Sequence, residues 1–390
     1  MLDEISIEQV LNDWNYWQKD PAPSIERQVL QGPITLAPDL VLVVQGIRRC
    51  GKSTLLAQIM QKLKLDPQDC TFVNFEDPRL SDNLNSSLLD QIVSFSRKRN
   101  HSRAHTFFFD EIQNVEQWQK WFHVRLEHPG KDCFIITGSN AALLSGELST
   151  VLTGRHITIE LFPFDFFECQ KAGKGNSLSD YFISGGFPRV LTFPEPAKLL
   201  REYFADIIER DVRRHVAVRS TLVLTQLVKA VFESAGSEVS HRNLAKMLGV
   251  TADTIKTYLD ACESAYILLS CPYFTFSERQ RAVRNKKYYP IDLGLRKAVI
   301  TQTGADKGKE LETVVFHHLR KKYGQVFYWR QKGEVDFVVH EGQVIQPYQV
   351  SWDGMKERHE KALKEFYEVY PKANPAIQIM QSNVVDFLKP

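Results

Sequence analysis

Residues Gly46-Ile47-Arg48-Arg49-Cys50-Gly51-Lys52-Ser53 fit the pattern G-x-x-x-x-G-K-[S/T], and Thr54 follows. The chemistry this suggests is the cradling of phosphate. The glycines let successive backbone N–H groups curl toward phosphate oxygens, and the positive end of the following helix adds its attraction. Lys52 can reach the β and γ phosphates, and the Ser53 hydroxyl can ligate Mg²⁺. Further along, Phe107-Phe108-Phe109 runs into Asp110-Glu111. A strand of aromatics would deliver Asp110 to its C-terminal end, where it holds Mg²⁺ through water. Glu111 is placed to polarise an attacking water as a general base. The adjacent acid pair argues for hydrolysis and not for binding alone.

The fourth apolar strand ends in Thr137-Gly138-Ser139-Asn140. Ser139 or Asn140 would read the γ-phosphate or orient the water. Gly154-Arg155 follows, and Arg155 could stabilise transition-state charge in cis or from a neighbouring subunit of an oligomer, or form a surface salt bridge. Of Arg48 and Arg49, one is expected on phosphate and the other on a carboxylate such as Glu76 or Asp77. Cys50, beside the phosphates, reads either as a reactive thiol or as inert packing. No N-K-x-D base-reading motif follows the fourth strand, which favours ATP over GTP.

The elements that must position these groups alternate. Val41–Val44, Thr71–Phe75, Thr106–Phe109 and Cys133–Ile136 read as buried strands, with helices from Lys52, over Ser86–Lys98 and over Val115–Leu126 between them. Strand and helix in alternation imply a parallel sheet covered on both faces, an α/β fold of the P-loop kind. Upstream, Ser6-Ile-Glu-Gln9 reads as a capping box. Ile7, Val10, Leu11, Trp14 and Trp17 then form a helical stripe expected to pack on the next domain. One more strand is expected at Ile157–Leu161, then mainly helix to residue 235.

Composition narrows the class. The 390 residues carry 49 Lys and Arg against 47 Asp and Glu, a formal charge of +2, with 43% hydrophobic residues. That excludes disorder and a globally basic nucleic-acid binder, and it calls for two or three domains. The six cysteines have no CxxC or zinc-finger spacing, the N-terminus is acidic, and no apolar run approaches a membrane span. A cytoplasmic protein without membrane contact is expected.

Farther on, Ser240 would cap a helix His241–Leu248, Gly249-Val250-Thr251 would turn, and Thr251 would cap a second helix from Ala252 to about Ala265. Two strands and a tip would then form a wing. The tip holds Arg279, Arg281, Arg284, Lys286 and Lys287 with no acid between, flanked by Tyr273, Phe274, Phe276, Tyr288 and Tyr289. Such a surface could track a DNA backbone, or the unit could serve as a lid or subunit contact.

GIRRCGKST, FVNFEDPRL, FFFDEIQ, ITGSN, the GR at 154–155, LFPFDFFE, YFISGGFPRV, KYYPIDLGL at 287–295 and GEVDF occur in that order. In this the chain resembles the AAA+-type ATPases of bacteria and archaea that carry a winged-helix region and a C-terminal restriction-endonuclease-like domain of unknown function. The resemblance implies an N-terminal helical segment (1–30), an ATPase core (31–162), a helical lid (163–235), a winged-helix-like domain (236–300) and an endonuclease-like α/β domain (301–390). It carries the nucleotide role onto Gly46, Gly51, Lys52, Ser53, Asp110 and Glu111, with ATP and Mg²⁺ as ligands. It also implies a nuclease motif of four positions beginning with Glu312 and Asp336. The acid and lysine wanted next are replaced by Gln349 and Ser351, so that chemistry is expected to be broken. Three readings follow: an ATPase coupled to DNA or to an assembly, an ATP-dependent switch with little turnover, and an ATP-gated nuclease.

Overall fold

Strands that are apolar along their whole length need cover on both faces, and helices must supply it. The first elements are α1 (Glu4–Trp14), β1 (Val41–Gln45), α2 (Lys52–Lys62), β2 (Cys70–Asn74), α3 (Ser86–Arg99), β3 (Thr106–Asp110), α4 (Trp118–Glu127), β4 (Cys133–Gly138) and β5 (His156–Glu160). In the computed structural model the strands form one sheet in the order β2-β3-β4-β1-β5, and every pair is parallel. This is the α/β P-loop sheet that the alternation implied. The structure describes residues 3–14, 24–99, 104–140, 152, 154–213, 216, 220–301 and 306–390.

Aromatic packing holds one face of the sheet. Phe107 stacks on Phe134 at 5.3 Å, and Trp121 and Phe122 of α4 meet Phe134 edge-on at 5.6 and 5.3 Å. Ile7, Val10 and Leu11 of α1 join the same core. The cap of α1 is not Ser6, as the sequence suggested. Asp3 accepts from the Ser6 N–H at 2.7 Å, so the helix starts a turn earlier, on a residue whose charge also suits a helix N-terminus. Trp14 packs as expected on the sheet domain: its Nε1 donates to Asp77 Oδ2 at 2.7 Å and its ring lies 6.1 Å from Phe72. Trp17 lies outside the described residues. Helix α4 begins at Trp118 and not at Val115, because Ile112–Asn114 is a 3₁₀ turn and Gln117 takes φ 56°.

The chain divides into two units, Met1–Leu161 and Phe162–Pro390. The second continues with α5 (Phe166–Lys171), α6 (Leu178–Ser184), α7 (Pro196–Asp206), α8 (Thr221–Glu233), α9 (His241–Leu248), α10 (Ala252–Ser264), β6 (Leu268–Cys271), α11 (Glu278–Val283), β7 (Lys287–Pro290) and α12 (Leu293–Val299). It closes with α13 (Lys307–Tyr323), β8 (Phe327–Arg330), β9 (Glu334–Glu341), β10 (Val344–Ser351), α14 (Glu357–Val369), β11 (Ile377–Met380) and α15 (Val384–Phe387). Strands β6 and β7 pair antiparallel, and the last four strands form a sheet in the order β11-β10-β9-β8. No helix among the described residues is long and apolar enough to cross a membrane.

Asp77 ties α1 to the sheet, and it also binds the Arg79 guanidinium at 2.7 Å. Hydrogen bonding to Arg79, against the opposing effect of burial, draws the Asp77 carboxyl down from 3.8 to about 2. A folded-state value below the unfolded one gives stability that is full above about pH 4 and is lost as pH falls toward 2. The Asp77→Asn chain should therefore be less stable at pH 7 and should lose less stability than wild type between pH 4 and pH 2. Urea unfolding at a series of pH values checks this.

Candidate active site

The phosphate loop leaves the C-terminal end of β1 and enters α2. Gly51 sits at φ 101°, open to glycine without strain, and a Cβ on Gly46 would lie 2.1 Å from the Leu161 carbonyl oxygen. The loop is braced from outside the motif. Arg27, itself buried, donates to the Cys50 carbonyl at 2.9 Å. Gln58 of α2 donates to the Ile25 carbonyl at 2.7 Å and accepts from the Arg27 N–H at 3.3 Å.

Within the loop, Lys52 is buried and its Nζ donates to the Gly46 and Ile47 carbonyls at 3.1 and 3.4 Å. It also lies 3.4 Å from Glu111 Oε1. Ser53 Oγ donates to Asp110 Oδ2 at 2.7 Å. Arg48 pairs with Glu76 at 2.9 Å, one of the two fates foreseen for the loop arginines, while Arg49 is exposed at φ 68°. Ile47 is buried and Thr54 lies exposed on the first turn of α2. Burial pushes the Cys50 thiol up, so the loop cysteine is packing and not a thiolate.

Parallel register sets a row of polar groups along this edge of the sheet. Asn74 aligns with Asp110, and Phe109 with Ile136, which brings Thr137 beside Asp110. Asn74 Nδ2 donates to Asp110 Oδ2 at 3.2 Å. The Thr137 hydroxyl donates to Asp110 Oδ1 and accepts the Glu111 N–H, the latter at 3.0 Å. Ser139 and Asn140 are buried just beyond β4. Burial and the neighbouring Glu111 push the Asp110 carboxyl up to about 6, against the hydrogen bonds from Thr137 and Ser53. Burial acts to raise Glu111 as well, but the Lys52 ammonium and the Gln113 amide outweigh it and its net shift is downward. A hydroxyl and a carboxylate oxygen facing each other are the hard donors that suit Mg²⁺.

Sequence reasoning missed Asn74, Thr137 and Gln113. The first two are the last polar residues of their strands, a signal that acquires meaning only once the strand order is known. Arg155 is placed elsewhere. The Val41 N–H donates to its carbonyl at 3.0 Å, at the N-terminal edge of the sheet. The phosphate loop follows Gln45 at the other edge, roughly 13 Å away at about 3.3 Å per residue. The cis reading of Arg155 is therefore corrected: one strand length separates its backbone from the phosphate loop of its own chain.

A family model described as an AAA domain matches residues 39–170, and two described as domains of unknown function match 175–306 and 307–388. An uncharacterised protein of Haemophilus influenzae is 30% identical over 341 residues, covering 83% of this chain and 85% of its own. An uncharacterised protein of Methanocaldococcus jannaschii is 30% identical over 399 residues, covering 94% and 86%. The chain belongs to this family of AAA-domain proteins. Among solved structures, the Orc1 protein of Aeropyrum pernix in complex with DNA is similar at a TM-score of only 0.30 and 10% identity, over 76% of this chain and 91% of that one.

In this family member the second unit holds helices α9 and α10 with their caps at Ser240 and Thr251, which accept from the Asn243 and Thr254 N–H groups at 3.3 and 3.1 Å. The expected basic tip is different in kind. Between β6 and β7 the chain forms the short helix α11, and most of the charges there have internal partners. Arg281 pairs with Glu278 at 2.5 Å, Lys286 with Glu263 at 3.1 Å, and Arg284 lies over Tyr273. Lys287 is corrected outright as a DNA contact. It is buried, 2.5 Å from Glu334 and 3.6 Å from Glu312. Tyr273, Phe274, Tyr288 and Tyr289 are buried too, which leaves Phe276 as the exposed aromatic of the group. Arg279 is exposed.

Of the four positions that the resemblance offered as a nuclease motif, Glu312, Asp336 and Gln349 come together, but around that lysine. Asp336 Oδ2 accepts from Gln349 Nε2 at 2.5 Å and from the Val350 N–H at 2.7 Å. Tyr289 donates to Glu312 Oε1 at 2.6 Å, and the Ser351 hydroxyl turns away to the Gly354 carbonyl at 2.6 Å. Among the described residues no group of three or more His, Cys, Asp or Glu is arranged to hold a metal. Lys287→Ala would leave the half-buried Glu312 and Glu334 without their ammonium, at an expected cost of about 1.5–3 kcal/mol. Arg279→Ala should stay within about 0.5 kcal/mol of wild type. Urea unfolding of the two full-length variants tests the contrast.

Proposed function

We propose that this family member is a Mg²⁺-dependent ATPase. The observation that carries the reading is the meeting of loop and acid pair, with Ser53 Oγ 2.7 Å from Asp110 and Lys52 Nζ 3.4 Å from Glu111. Backbone N–H groups of Gly46–Thr54 bind the phosphates, and Lys52 exchanges its two loop carbonyls for phosphate oxygens. Ser53 and Asp110 would hold Mg²⁺, which would neutralise phosphate charge. Glu111 takes the proton of the attacking water. Thr137 keeps both acids in place by bonding the side chain of one and the backbone of the other.

Steady-state hydrolysis and equilibrium binding of ATP test this. Lys52→Ala should lose both. Glu111→Gln should keep binding and lose turnover by on the order of 10²–10⁴-fold. A wild-type chain that retains ATP with negligible turnover would favour the switch reading. The same assay with duplex and single-stranded DNA reads coupling. A rise in rate that is lost in an Arg279→Ala/Arg284→Ala double variant would place DNA on the tip between β6 and β7. A rate indifferent to DNA would point the search toward protein partners.

A further inference from the structure

Glu111 is held at two points, one on each carboxylate oxygen. Oε1 faces Lys52 at 3.4 Å, and Oε2 accepts from Gln113 Nε2 at 2.5 Å. The backbone between them is fixed. Glu111 sits at φ 56°, ψ 48°, a region few non-glycine residues occupy, and Ile112–Asn114 closes into a 3₁₀ turn. Asn114 Nδ2 donates to the Glu111 carbonyl at 3.1 Å. Gln113 Oε1 is buried with no hydrogen-bond partner among the described residues. Leaving such an acceptor unpaired is unfavourable, and an apolar side chain of similar size would not incur that cost. A left-handed glutamate and an unpaired amide oxygen are both unfavourable, and both serve the aim of one carboxylate.

We propose that Gln113 is a positioning residue for hydrolysis: its amide fixes Oε2 of Glu111, so that Oε1 is the oxygen that takes the proton of the attacking water. The inference rests on the ATPase reading above. The phosphate of a bound nucleotide competes with Oε1 for the Lys52 ammonium. Once Lys52 turns to phosphate, the hydrogen bond from Gln113 is what stops the carboxylate from rotating about its broad terminal torsion. The water oxygen then bonds to the γ-phosphorus while its proton passes to Oε1. The bond from that phosphorus to the β–γ bridging oxygen breaks, the products are ADP and inorganic phosphate, and the proton leaves Glu111 for solvent. Gln113 donates no proton and touches no reacting atom.

The test is a double-mutant cycle on the full chain, with Gln113→Met, Glu111→Gln and the two combined, read by ATP turnover, ATP binding and thermal unfolding. Met matches glutamine in length and can fill the same space, but it offers no donor. Gln113→Met should lower kcat by on the order of 10²-fold, as a misplaced catalytic group does, while ATP binding stays within about twofold of wild type. In the Glu111→Gln background the same change should lower kcat no further, because the two act as one unit. A merely structural role would lower binding with turnover, or would multiply with Glu111→Gln, and either result overturns the proposal. So does a Gln113→Met chain whose kcat matches wild type. If the Met chain does not fold, Gln113→Leu carries the same test. The two readings fail distinguishably: a wild-type chain that binds ATP without turnover overturns both, whereas an active wild type with an active Gln113→Met overturns the role of Gln113 alone.

Discussion

Two adjacent carboxylates at the buried end of a phenylalanine strand dominate the architecture of the first unit. Taking a charge out of water is unfavourable unless the protein replaces the lost hydration. Around Asp110 that replacement comes from the Ser53 and Thr137 hydroxyls and the Asn74 amide. Around Glu111 it comes from the Lys52 ammonium and the Gln113 amide, while the Thr137 hydroxyl accepts its backbone N–H. Strand ends, loop and turn thus converge because two neighbouring acids, the last residue of β3 and the one after it, must be stabilised. The result is also a division of labour. Burial and mutual repulsion raise Asp110, while the lysine favours the ionised form of Glu111.

That polar edge stands on an apolar sheet that leaves it little freedom. Phe107, Phe109 and Phe134 are fully or nearly fully buried and lock β3 against β4, so the register that aligns Asp110 with Thr137 follows from core packing. A slip of one residue would turn every phenylalanine to the opposite face and separate the acids from their partners. The phosphate loop is likewise held by residues beyond its own motif. Arg27 and Gln58 tie the segment before β1 to the loop and to α2. The loop's geometry is therefore a property of the unit and not of eight residues.

In the second unit the same electrostatic rule works in reverse. There a lysine is buried and acids are gathered about it. Lys287 lies at the junction of β7, α13 and β9, its ammonium facing Glu312 and Glu334, with Asp336 and Gln349 alongside. Burial lowers the affinity of such an ammonium for its proton, yet the surrounding carboxylates more than restore it. The cluster binds a helix, a hairpin strand and a sheet together. A basic stretch that looks like a surface in sequence is partly the inside of the fold.

The sequence by itself determined what depends on neighbours a few residues apart. The phosphate loop, the strand that carries Asp110, the alternation of strands and helices, and the caps at Ser240 and Thr251 are all set by local backbone chemistry and short-range hydrogen bonds. One local reading failed where two caps competed, and Asp3 prevailed over Ser6. Only the tertiary structure decided which distant residues become neighbours. Asn74 and Thr137 reach Asp110 through a strand order that no stretch of sequence states. Arg155 lies a strand length from the phosphate loop because parallel pairing sends the start of β5 to the far edge. Lys287 is buried while Arg279 is exposed, although they share one basic run. Even Gln113, two residues from Glu111, needed the fold, because its amide reaches the carboxylate only through the turn that buries it. The physical reason is common to these cases: a side chain's charge and hydrogen-bonding capacity are fixed by its type, whereas its solvent exposure and its partners depend on packing between segments far apart in the chain.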